Sequence, residues 1–126
     1  MPRAVSSPHT PAPAGTYSSG IVSGGFLFIA GQGPFDAEGR LVGETFADQL
    51  RQTFRNVQAI AEAAGTSLDR AVRIGVYLNR MEDWEELNVL SKEFLSEPYP
   101  ARTTIQADLN RFQIEVDAVV ALPEGE

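Results

Sequence analysis

The chain has 126 residues, 43% apolar and 21% charged, and 17 acids against 10 bases give a net charge of −7. That size suits a single domain, residues 1–126, with an ordinary buried core; no apolar run approaches the roughly 18 residues of a membrane span; and the acidic balance opposes nucleic-acid binding. With no cysteine, and with the only histidine, His9, in a Pro-rich start, thiolate nucleophiles, a Ser-His-Asp triad and Cys- or His-based metal sites are set aside; a carboxylate-only metal site stays open, although no D-x-D-x-D-G-type loop is present.

Residues 1–14 (MPRAVSSPHTPAPA) carry one arginine and no apolar h-region, so they do not make a secretory signal. Their Pro, Ala and Ser content predicts a flexible lead-in, and the lack of export signal and cysteine points to the cytoplasm. Residues 17–22 and 26–30 form the first two predicted strands, joined at Ser23-Gly24-Gly25 by a hairpin turn. The second (FLFIA) is apolar throughout and ends at Ala30-Gly31-Gln32-Gly33-Pro34, where two glycines and a proline break regular structure. A turn at Asp36-Ala37-Glu38-Gly39 leads to a short strand over 40–42.

Thr45 begins a helix, with Asp48 placed as in a capping box. Leu50, Phe54, Val57, Ala61 and Ala64 recur at helical spacing, and Gly65 closes the helix. In the next segment Val72, Ile74, Val76 and Leu78 alternate with polar or small residues, a strand with one buried face. A second helix is predicted over 84–96, with Trp84, Leu87, Ser91, Phe94 and Leu95 facing inward and Asn88 beside that stripe; Glu97-Pro98-Tyr99-Pro100 stops it.

The order is thus β-β-α-β-α-β-β, an α+β chain in which two helices cover one face of a mixed sheet. The last strand shows why the other face matters. Phe112, Ile114, Val116, Ala118 and Val120 make one apolar side, whereas Gln113, Glu115, Asp117, Val119 and Ala121 make a side half polar and half apolar. Such a face suits a subunit interface holding a polar pocket. The same region places Arg102 at the mouth of one strand and Glu115 inside the next. A guanidinium there either grips a carboxylate through two parallel donors or makes an ordinary salt bridge; Glu115 either handles a water and its protons or pairs with a cation, Arg102 included.

Several short pieces, taken in order, carry a resemblance to a known family. They are Ala14-Gly15-Thr16-Tyr17, Phe28-Ile29-Ala30-Gly31-Gln32-Gly33-Pro34, Phe54-Arg55-Asn56-Val57, Asp83-Trp84-Glu85-Glu86-Leu87-Asn88, Pro100-Ala101-Arg102 and Ile114-Glu115-Val116-Asp117-Ala118. From about Ala12 onward the chain resembles the YjgF/YER057c/UK114 family, also called the Rid family. The resemblance implies a chorismate-mutase-like fold, a homotrimer whose sheets form a central barrel, and pockets between subunits. It also implies hydrolysis of 2-imino acids and their enamine tautomers to 2-oxo acids and ammonia, with no metal or organic cofactor.

Carried onto this chain, the resemblance makes Arg102 the anchor for a small carboxylate substrate and Glu115 the residue that positions water. Tyr17 walls the pocket, Gly31 permits close approach of a ligand, the amide of Thr104 is a second donor to the carboxylate, and Asn88 shapes the site through neighbouring backbone. Asp117 is assigned a structural role. The chain departs from the archetypal deaminases at Ala30, where they carry serine, at Thr104, where they carry cysteine, and in the last loop, where they carry a leucine-proline pair whereas Leu109 is followed here by Asn110-Arg111 in a shorter loop. Those changes leave two alternatives standing: a pathway-specific hydrolase acting on another small carboxylate, or a non-enzymatic ligand-binding or regulatory trimer.

Overall fold

A computed structural model describes residues 1–123. Among the described residues six strands form one mixed sheet: β1 (Arg3–Val5), β2 (Gly20–Ser23), β3 (Phe26–Gln32), β4 (Ala71–Leu78), β5 (Ala101–Gln106) and β6 (Ile114–Ala121), in the spatial order β1-β2-β3-β6-β4-β5. Helices α1 (Phe46–Ala63) and α2 (Trp84–Leu90) complete the set. The final strand lies in the middle, antiparallel to both β3 and β4, while β4 and β5 run parallel through the α2 crossover. The expected fold class is correct.

Local chemistry accounts for most boundaries. Gly24 and Gly25 at φ 63° and 84° form the predicted hairpin turn, a geometry that favours glycine at both positions. The Thr45 hydroxyl accepts the Asp48 amide at 3.1 Å and caps α1. All five residues of the predicted α1 stripe are buried, and Gly65 turns the chain at φ 85°. They meet Leu27, Ile29, Ile74, Val76, Ile114, Val116 and Val120 from the helix-facing side of the sheet.

Four expectations need amending. Part of the lead-in is a strand: Val5 is buried and Arg3–Val5 pairs with β2 in the register Arg3↔Val22, which satisfies backbone groups on that edge. Tyr17 lies outside β2, which starts at Gly20. Val72 does not join the buried face of β4, because the register slips between Ala71 and Arg73 and the bulge leaves Val72 exposed. Residues 40–42 contribute only an isolated bridge between Phe35 and Leu41.

The second helix also differs. α2 ends at Leu90 and tightens into a 3₁₀ turn over Ser91–Glu93. That turn lets Phe94 stack on Phe54 of α1, ring centroids 5.3 Å apart. Trp84 is not an inward residue. It stands at the surface with the Arg102 guanidinium 5.1 Å from its ring centroid.

The face of the sheet away from the helices is open. It presents Phe26 and Phe28 of β3 and Ile105 of β5, all substantially exposed, together with Tyr77, Glu115, Asp117 and Val119. This is the mixed face read from the alternation in β6.

Candidate active site

Arg102 and Glu115 lie on opposite faces of the sheet. Arg102 pairs with Ile74, a core residue on the helix side, and Glu115 pairs with Tyr77 on the open side. Because side chains alternate along a strand, the two functional groups project away from each other. The ion pair between them that the sequence left open does not form within one chain.

Each residue has its own cavity. Arg102 lines one of about 330 Å³ between β5 and the α2 region, with Asn88, Ser91, Lys92, Leu95 and Pro100 among its walls. Its guanidinium is partly buried, makes a cation–π contact with Trp84, and has no carboxylate within salt-bridge distance among the described residues. Burial lowers its proton affinity, since the charged form has lost water. An arginine stays charged at neutral pH, so this is a cation without an anion among the described residues.

Glu115 lines a second cavity of about 290 Å³, with Tyr17, Gly31, Phe35, Phe112 and the lead-in residues Pro11 and Pro13. Burial, then the nearby Asp117 carboxylate, raise its proton affinity above that of an ordinary glutamate. A methyl group placed on Gly31 would come within 2.9 Å of Glu115 Cδ, well inside ordinary carbon contact distance. The group approaching the Gly31 backbone within this chain is therefore the Glu115 side chain.

Asp117 is tied into the sheet. It accepts from Gly75 N at 3.0 Å and from the Tyr77 hydroxyl at 2.8 Å, with Arg73 at 3.7 Å. The hydrogen bond to Asp117, which needs the phenol proton in place, and then burial raise the proton affinity of the Tyr77 phenol.

Of the remaining candidates, Tyr17 lines the Glu115 cavity and Asn88 the Arg102 cavity, whereas Ala30 and Thr104 line neither. Tyr17 lies at the Glu115 cavity with its phenol oxygen accepting from Ala14 N at 3.1 Å. The Ala30 amide is already committed to Ser19 O at 2.9 Å. Thr104 points to the helix side two residues from Arg102, paired with Val76, and its Oγ1 is buried without a hydrogen-bond partner among the described residues. Asn88 is exposed beside Arg102, and its side chain forms no hydrogen bond among the described residues, unlike the backbone contact expected of it.

The sequence reading missed Asn56. From a buried position on α1 its amide donates to Gly33 O at 3.1 Å and Phe35 O at 2.8 Å, fixing the loop that floors the Glu115 cavity. Gln49 does similar work, donating to Gly43 O at 3.2 Å and accepting from Gln113 N at 2.9 Å. The signal was present as a polar series, Gln49, Thr53 and Asn56, at helical spacing on the buried side of α1. Asn56→Ala would leave two carbonyls short of a donor and should cost about 1–3 kcal/mol. Denaturant unfolding checks this, and an unchanged midpoint would contradict it.

Among the described residues no group of three or more His, Cys, Asp or Glu residues is placed to hold a metal, and no helix is long and apolar enough to cross a membrane.

A family model described as endoribonuclease L-PSP matches residues 7–122. A RutC family protein of Pyrococcus horikoshii is 38% identical over 94% of this chain and 97% of its own length. A 2-iminobutanoate/2-iminopropanoate deaminase of the mite Dermatophagoides farinae is 29% identical over 95% of this chain and 96% of its own. Among solved structures, RidA of the Antarctic bacterium Psychrobacter superposes with a TM-score of 0.88 at 36% identity, covering 95% of this chain and 99% of that one. The match of the family model across nearly the whole chain, with the shared fold, shows that this protein belongs to the endoribonuclease L-PSP family, the Rid family that the sequence resembles.

Proposed function

We propose that the protein is a hydrolase that converts reactive 2-imino and enamine acids to 2-oxo acids and ammonia in the cytoplasm, working as a homotrimer with pockets between subunits. The observation that carries this reading is the division of the site. One face of the protomer holds Arg102, a cation without an anion among the described residues, and the other holds a carboxylate of raised proton affinity, Glu115. A closed ring of protomers brings one face of each chain to its neighbour, so each pocket takes its anchor from one chain and its carboxylate from the next. The exposed Phe26, Phe28 and Ile105 supply apolar area for that contact.

The chemistry follows from the side chains. Arg102 grips the substrate carboxylate through two parallel hydrogen bonds, and the Thr104 amide adds a third donor that fixes its plane. Water held by Glu115 adds to C2 of the protonated imine; Glu115 takes its proton and returns it to the nitrogen, which departs as ammonium. Tyr17 closes the Glu115 side of the pocket. Imines hydrolyse readily unaided, so positioning supplies most of what is needed. The relative that bears the deaminase name supports this reading at 29% identity. Although the family description contains the word endoribonuclease, a net charge of −7 works against an RNA backbone.

The test couples a pyridoxal-phosphate dehydratase to formation of 2-oxobutanoate, with and without this protein. Faster release of the 2-oxo acid is expected. An unchanged rate would point instead to a trimer that binds ligand without turning it over. Subunit shuffling tests the shared pocket directly: Arg102→Ala and Glu115→Gln chains, each inactive alone, should regain activity when unfolded, mixed and refolded. About one pocket in three of every mixed trimer would then be intact. No recovery on mixing would defeat the pocket shared between subunits.

A further inference from the structure

The Arg102 cavity contains a second cation. Lys92, on the turn after α2, lines the same 330 Å³ space, and among the described residues no aspartate or glutamate does. Four of the ten cations, Arg40, Arg51, Arg73 and Arg80, have carboxylate partners; of the six without one among the described residues, two, Lys92 and Arg102, line this one cavity. The carboxylate next to Lys92 in sequence, Glu93, is taken by both nitrogens of Arg51 at 2.9 and 3.0 Å. Two cations on the wall of one cavity make it complementary to anionic groups.

Apolar surface accompanies the cations: Ile74, Leu95 and Pro100 line the same cavity. Its volume lies at the lower end of the roughly 300–1,000 Å³ that receives drug-sized ligands, more than a four-carbon imino acid occupies. The complementary ligand has a carboxylate at each end and a short methylene segment in the middle.

We propose that the substrate is a short 2-imino dicarboxylic acid, with Arg102 holding the carboxylate next to C2 and Lys92 holding the distal one. The proposal rests on the hydrolytic reading above and narrows it. Water adds to C2, the C–N bond breaks, and the iminium and water become the 2-oxo dicarboxylate and ammonium without an oxidant or reductant. Such imines form when the α-amine of an acidic amino acid is oxidised, so a reaction of that class supplies the substrate.

Calorimetric titration of the intact protein with 2-oxoglutarate, 2-oxobutanoate and the 5-methyl ester of 2-oxoglutarate tests the claim on the product side. The ester keeps the open chain and close to the size of the dicarboxylate but lacks its distal charge. The dicarboxylate should bind about tenfold more tightly than the ester, the gain typical of one charge-assisted hydrogen bond. That ratio should fall to about one in Lys92→Gln and return in Lys92→Arg. Equal affinities in the wild type, no binding of the dicarboxylate, or an unchanged ratio in Lys92→Gln would overturn the proposal. Imine hydrolysis measured on the same samples separates the two readings. Binding preference without hydrolysis defeats the enzymatic assignment alone, and hydrolysis without preference defeats the dicarboxylate pocket alone.

Discussion

Arg102→Ala should lower kcat/KM for a 2-imino acid by about thirtyfold to several thousandfold, with secondary structure and assembly size unchanged. The range converts the 2–5 kcal/mol typical of losing one partner of a desolvated charge pair. Retention of the fold is expected because Arg102 sits on β5, at the edge of the sheet, and its side chain faces a cavity instead of filling the core. Its cation–π contact with Trp84 is a surface contact worth only about 0.5–1 kcal/mol. Arg102→Lys should recover part of the loss, since an ammonium keeps the charge but not the two parallel donors. Unchanged kinetics in the alanine variant would remove Arg102 from the mechanism.

Glu115→Gln should reduce kcat by about a hundredfold to ten-thousandfold, the usual contribution of a positioned acid–base group. The pH profile is the sharper readout. Burial and Asp117 raise the proton affinity of Glu115, and only the ionised form can take a proton from water. Activity in the wild type should therefore fall as pH drops through a midpoint above that of an ordinary glutamate. The glutamine variant should lose that limb.

Stability should move the other way. A carboxyl whose proton affinity is higher in the folded state than in the unfolded state stabilises the fold fully below its unfolded pKa. That contribution is lost as pH rises through the folded pKa. At neutral pH the wild type therefore carries an ionised, partly buried carboxylate that Glu115→Gln removes, and the variant should unfold at slightly higher denaturant. Lower activity with lower stability would mean that Glu115 holds the structure together and does not serve the reaction.

How far these residues could be read from sequence depends on the range of the interactions that place them. α1 was legible to within a residue because its stripe, cap and closing glycine are local signals. The alternation in β6 correctly separated Ile114, Val116, Ala118 and Val120 from Glu115 and Asp117. Sheet order was not legible, since the insertion of β6 between β3 and β4 depends on pairings far apart in sequence. Without it, Arg102 and Glu115 looked like residues of neighbouring strands free to meet. β1 stayed hidden because three residues of strand carry almost no pattern, and prolines nearby argued against order. The bulge that exposes Val72 left no mark on an otherwise regular alternation. Trp84 was placed inward on hydrophobicity alone, although its flat ring serves at the surface as a seat for a guanidinium.

The open face also bears on what happens between synthesis and assembly. A freshly folded chain exposes Phe26, Phe28 and Ile105 on this face, the kind of surface that recruits wrong partners while the right ones are still scarce. Glu115 and Asp117 stand among them. When two such faces meet squarely, carboxylates oppose carboxylates with little water to screen them, and the encounter breaks up. An off-axis approach lays the apolar patches together while the acids clear one another. The two acids on β6 would thus steer chains away from face-to-face dimers and towards the ring proposed above.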